Sequence, residues 1–200
     1  VGWFGFNAGS AVAADGSAGM AMLVTHISAA TGALTWMAIE WIKSGKATMI
    51  GIATGMVAGL ATITPASGTV GPAGALLIGF LAGLVCFYAT QAVKSYFRID
   101  DSLDVFPVHG VGGILGIIMI AFVGNPDGFL GSGAAGISED GAIAQLMIQL
   151  QGVIVISAYT AIVTYVILRL VSLITDVRAS EEDEDIGLDM SEHNEQGYSL

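Results

Sequence analysis

The sequence predicts an all-α fold, a polytopic transmembrane helix bundle. Three observations carry that expectation. Hydrophobic residues make up 54% of the 200-residue chain and charged residues only 12%, about half the charged share that keeps a soluble domain's surface wet. Five apolar runs are each long enough to cross a hydrocarbon core of about 30 Å, which takes about 20 helical residues. All six Lys and Arg residues lie at or beyond the ends of those runs that share one side. This composition, with a mean hydropathy of +0.76, excludes a soluble globule, a disordered chain and a nucleic-acid binder. The runs do not alternate every second residue, so they read as helices and not as barrel strands.

Taken in order, Val1 to Ala14 is apolar but too short to span, like the last part of a preceding helix. Because the chain opens inside an apolar segment without Met, it reads as a fragment. The spans follow at Ser17 to Ile42, Ala47 to Pro65, Val70 to Val93, Val105 to Gly124 and Ala142 to Thr175. The last run extends to about 51 Å at 1.5 Å per residue and has to tilt or project into water. Gly51, Gly55 and Gly59 recur at every fourth residue, as do Gly79 with Gly83 and Gly112 with Gly116. Small residues at that interval let helix backbones approach closely in lipid. Asn125-Pro126-Asp127-Gly128 reads as an outer turn.

Charge then orients the bundle. Lys43, Lys46, Lys94, Arg98, Arg169 and Arg178 share one side, whereas the other carries Asp15, Asp127, Glu139 and Asp140 and no base. By the positive-inside rule the basic side is cytoplasmic, and so is the C-terminus. The net charge of −11 is mostly a tail effect: Ala179 to Leu200 contributes −8 and the remaining residues −3. The chain therefore divides into a membrane body, residues 1–178, and an acidic cytoplasmic tail, residues 179–200. The acidic run Glu181 to Asp185 fits either a docking surface or a solvated, disordered stretch. One cysteine, Cys86, inside an apolar run, reads as an inert buried thiol that builds neither an intrachain disulfide nor a zinc site. Neither a metal nor a cofactor is expected.

Ionisable side chains within spans are costly and mark candidate sites. His109, about 8 Å along the fourth span from Asp104, can pass a proton or hold a polar solute; equally, it can bond a neighbouring carbonyl. His26 reads as structural, satisfied by Thr25 and Ser28 in its own turn. Glu40 reads as the snorkelled partner of Lys43. Asp104 is the expected N-cap of the fourth span, with Pro107 in its first turn. The opening segment Trp3-Phe4-Gly5-Phe6-Asn7-Ala8-Gly9-Ser10 fits an aromatic belt with packing glycines. It also fits a vestibule where a cation meets aromatic faces and a hydroxyl.

Gly2 to Ser10 resembles the sixth helix of the ammonium transporter family (Amt/Mep/Rh). Thr64-Pro65-Ala66-Ser67-Gly68, Asp100-Asp101, and Asp104-Val105-Phe106-Pro107-Val108-His109-Gly110 are similar to family motifs in the same order. The tail's Gly187-Leu188-Asp189 and Ser191-Glu192-His193 resemble the family's C-terminus. The resemblance implies helices six to eleven of an eleven-helix fold: the second inverted repeat plus a long final helix. It implies that Phe6 is one of two stacked rings over the outer mouth, and that Ser10 is the recruitment-site hydroxyl. Trp3 is then a pore-wall residue, and His109 one of two hydrogen-bonded pore histidines. The implied activity is ammonium transport: ammonium is recruited outside and deprotonated, and NH₃ crosses a hydrophobic pore with histidine-assisted proton transfer. The implied partners are ammonium, the lipid bilayer, two further copies in a homotrimer, a PII-type regulatory protein and the missing N-terminal helices. An ammonium sensor on the same fold and an intramembrane enzyme are the alternatives. The enzyme would need a serine nucleophile matched to His109, and Ser10 lies near the opposite face.

The topology is testable by cysteine-accessibility labelling at positions 44 and 127. We expect an impermeant thiol reagent to reach the two positions from opposite faces. Labelling of both from the same face contradicts the one-sided charge reading.

Overall fold

The computed structural model of the chain describes residues 1–124 and 140–197. The Asn125-Pro126-Asp127-Gly128 turn and Glu139 lie outside the described residues. Two units are distinguished, Val1–Val153 and Ile154–Leu200.

In the first unit, α1 (Gly2–Gly9) is the short leading helix and α2 (Gly16–Ser44) the first long one. Asp15 starts α2 as a capping residue, accepting from the backbone N–H groups of Ser17 and Ala18 at 3.0 and 3.1 Å. Gly45, at φ 72°, ends it in the left-handed conformation that a side chain would resist. Thr48 caps α3 (Met49–Ile63), which runs into a 3₁₀ turn over Thr64–Ala66. Pro72 opens α4 (Pro72–Gln91), where its missing N–H costs nothing. The next span, α5 (Gly112–Met119), is flanked by π-helical turns at Phe106–Val111 and Ile120–Gly124. The continuous α6 covers Ala142–Val171. Among the described residues, five helical stretches are thus long and apolar enough to cross a membrane, within a few residues of the ranges expected from the sequence.

The glycines recurring at every fourth residue explain how α2, α3 and α4 meet. A methyl placed on Gly59 would collide with the Ser28 carbonyl oxygen, and one on Gly79 would lie 2.5 Å from that same oxygen. One turn along, a methyl on Gly32 would lie 2.5 Å from the Gly55 carbonyl, and one on Gly83 2.8 Å from the Gly32 carbonyl. The three backbones therefore touch at two successive levels of α2. Ser28, fully buried, adds a bond from its hydroxyl to the Gly59 carbonyl at 2.9 Å. Gly116 of α5 faces the Thr62 carbonyl in the same way, and Gly112 faces Thr62 and Cys86. Around these contacts lie two apolar clusters. One gathers Val24, Ile63, Ile78, Met119 and Val123, and the other Trp36, Ala58, Cys86, Phe87 and Val108.

Several expectations need correction. Asp104 does not cap the fourth span. Its φ of 57° is left-handed, whereas an N-cap residue is extended, and its carboxylate turns to Lys94 Nζ at 2.8 Å. Asp101 takes the capping role, its two oxygens accepting from the Val105 and Phe106 N–H groups at 2.9 and 2.8 Å. Glu40 is not the partner of Lys43 either. Its carboxylate accepts from the Thr48 backbone N–H at 2.7 Å and from the Trp36 indole at 3.3 Å, beside the start of α3. Lys43 instead reaches Gln91 at 3.3 Å and lies over the rings of Phe87 and Tyr88.

In the second unit, beyond the rest of α6, Arg178 grips Glu184 through two bonds of 3.0 and 3.2 Å. The acidic run falls in α7 (Glu181–Ile186), which Ser180 caps by accepting from the Asp183 N–H at 3.1 Å. Carboxylates crowd the first turn of α7, where the helix dipole favours them. Gly187, at φ 97°, turns the chain into α8 (Leu188–His193).

The glycine contacts make a quantitative expectation. Gly59→Val drives two methyls into backbone that cannot step aside and should cost about 3 kcal/mol, the upper end for overpacking. Gly19→Ala, whose added methyl meets nothing within 4 Å, should be neutral or stabilising by up to about 1 kcal/mol, the helix preference of Ala over Gly. Thermal unfolding of the purified protein in detergent compares them, and equal midpoints would refute the packing role of Gly59.

Candidate functional site

Three elements converge on the site. The π-helical turn Phe106–Val111 carries His109; such turns widen a helix locally and are frequent at functional positions. Pro107 stiffens its start, and Asp101 satisfies its free N–H groups. The leading helix α1 brings Trp3 to His109, with the ring centroids 6.1 Å apart and the planes 16° from parallel. The 3₁₀ turn after α3 supplies Thr64, whose hydroxyl oxygen accepts from Trp3 Nε1 at 2.8 Å.

One turn along α1, Phe6 meets Trp3 edge to face at 6.3 Å. Beyond it Ser10 donates from its hydroxyl to the Phe6 carbonyl at 2.8 Å. Because that bond uses the hydroxyl's proton, its lone pairs stay free to accept from a cationic donor. The result is a column of Ser10, Phe6, Trp3 and His109, so the four predicted site residues follow one another through direct contacts. Phe6 is 64% exposed, and His109 lies on the same open surface of the unit. The column presents π faces that attract a cation, then an imidazole whose two ring nitrogens can hold or hand on a proton. An imidazole facing hydrocarbon would be costly, so this surface calls for a protein surface opposite it.

His26 belongs to a different side of α1, where its ring lies 5.8 Å from that of Phe4. Thr25 and Ser28 do not satisfy it, as the sequence suggested they would. Thr25 donates to the Ala21 carbonyl at 2.6 Å and accepts from the Asn7 amide at 3.0 Å, while Ser28 donates to Gly59. The Asn7–Thr25 bond, between two buried side chains, fastens α1 to α2. Sequence reasoning missed Asn7 and Thr64 as supports of the column. Both sit in recognisable motifs, but their partners are 18 and 61 residues away, and no local pattern reports such a bond. Among the described residues no group of three His, Cys, Asp or Glu side chains could hold a metal ion.

A family profile described as the Ammonium Transporter Family matches residues 1–198. The ammonium transporter of Aquifex aeolicus is 44% identical over 199 residues, covering all of this chain and 46% of that protein. Among solved structures, a protein named "Sensor Amt Protein" superposes with a TM-score of 0.83 at 28% identity, covering 96% of this chain and 46% of that one. Mep2 from Saccharomyces cerevisiae superposes with a TM-score of 0.76 at 37% identity, covering 86% and 42%. The chain spans about half the length of the curated relatives it matches.

Proposed function

The chain belongs to the ammonium transporter family, and from that premise we propose that it forms one half of a transmembrane pore for ammonium. The observation that carries the reading is the column of Phe6, Trp3 and His109 on one open surface of the unit. Ammonium is recruited at the outer end, where the Phe6 ring offers cation–π attraction and the Ser10 hydroxyl a lone pair. The ion then gives up its proton, because carrying a charge through the hydrocarbon zone costs far more than carrying neutral NH₃. Trp3 walls the path with an apolar face. His109, facing a histidine of the complementary helices, relays the proton.

The same reading orients the protein. The side bearing Lys43, Lys94 and Arg178 is cytoplasmic, the protein is a multi-pass component of the cell membrane, and residues 179–200 form a cytoplasmic tail behind the transport body of residues 1–178. Copies assemble as a homotrimer, and the tail with its two short helices is the surface open to a PII-type regulator. A sensor built on the same fold is the second reading, prompted by the likeness to the sensor Amt protein. Relatives of higher identity are named transporters, and transport is preferred on that ground. No enzymatic step is assigned.

In the full-length protein, His109→Ala should abolish ammonium-evoked current or uncouple it from uptake, while the protein still elutes as a folded oligomer. Wild-type currents in that variant would remove the proton-relay role.

A further inference from the structure

An indole in an apolar segment has one N–H, and leaving it unpaired away from water is expensive. Trp3 meets this need through Thr64 at 2.8 Å. Thr64 donates its own proton to the Leu60 carbonyl at 2.8 Å, which fixes the hydroxyl's rotation and aims its lone pairs away from that carbonyl. The turn that holds it contains Pro65, and α5 abuts that turn: a methyl on Gly116 would lie 2.9 Å from Pro65 Cγ. His109 precedes α5 on the same helical stretch, and its imidazole stacks on the indole that Thr64 holds. A closed path therefore runs from Thr64 to Trp3, to His109, along α5 to Gly116, and back to the turn at Pro65.

We propose that Thr64 is a positioning residue for the pore: by accepting from Trp3 Nε1 it holds the indole flat against His109 and so fixes the imidazole in the orientation that passes a proton. The proposal rests on the pore reading above and adds a residue that never touches the proton path itself. A bond that merely relieved burial of the indole would affect how much protein folds. A positioning bond also sets how fast each folded molecule works.

The test uses the full-length protein labelled with 5-fluorotryptophan, in which the Trp3 resonance is identified by its loss in Trp3→Phe. Thr64→Val keeps the side chain's shape and removes the acceptor, whereas Thr64→Ser keeps the acceptor. We expect Thr64→Val to move the Trp3 fluorine resonance. Maximal methylammonium uptake per folded molecule should fall about fivefold, the weight of one hydrogen bond, with half-saturation changed by less than about twofold. Thr64→Ser should restore both. An unmoved Trp3 resonance in Thr64→Val overturns the proposal, as does a moved resonance with unchanged uptake, or failure of serine to rescue. If Thr64→Val does not assemble, Thr64→Ala reads the same resonance and the same results decide. Normal transport by His109→Ala would defeat the pore reading separately, because the fluorine shift reports on the Trp3–Thr64 bond whatever the protein carries.

Discussion

Everything else in the first unit depends on three helix backbones being allowed to touch. Lipid offers no hydrophobic drive for helices to associate, so close van der Waals packing has to supply it. Here the Ser28 carbonyl of α2 sits where side chains on both Gly59 and Gly79 would have to be, and Gly32 repeats the arrangement with Gly55 and Gly83. Two levels of contact fix the rotation of each helix as well as the distance. The buried Ser28 hydroxyl, bonded to the Gly59 carbonyl, adds a polar tie that has no competing water.

That frame determines where the rings lie. With α3 held against α2, its terminal turn is set, and Gly116 seats α5 against Thr62 and Pro65 of that turn. His109 is thereby brought to a known height on the bundle. On the other side, α1 is fastened to α2 by Asn7 and Thr25 and to the turn by Trp3 and Thr64. Those two bonds set where its aromatic side chains lie.

Much of this was legible in the sequence, for physical reasons that differ by feature. The spans follow from the thickness of hydrocarbon, which dictates run length whatever the residues do. The glycine spacing announced close packing, although it did not say which helix would meet which. Local electrostatics were less legible. Asp101 and Asp104 are both plausible caps three residues apart, and only the left-handed backbone at Asp104 decides between them. Glu40 and Lys43 are near neighbours on one helix, yet the Thr48 N–H and the Phe87 and Tyr88 rings claim them separately. The π-helical turn at His109 was not read from the sequence, which marks only a helix start at Pro107.

The central claim is that the open surface bearing Phe6, Trp3 and His109 is half of a pore, completed by helices that supply a second set of groups. Methylammonium uptake in cells lacking their own transporters tests it most directly, comparing the 200-residue chain alone with the chain co-expressed with the complementary N-terminal helices. The account predicts no saturable uptake for the chain alone and its appearance on co-expression. Saturable uptake by the chain alone would contradict it and require two copies to complete each other's pore.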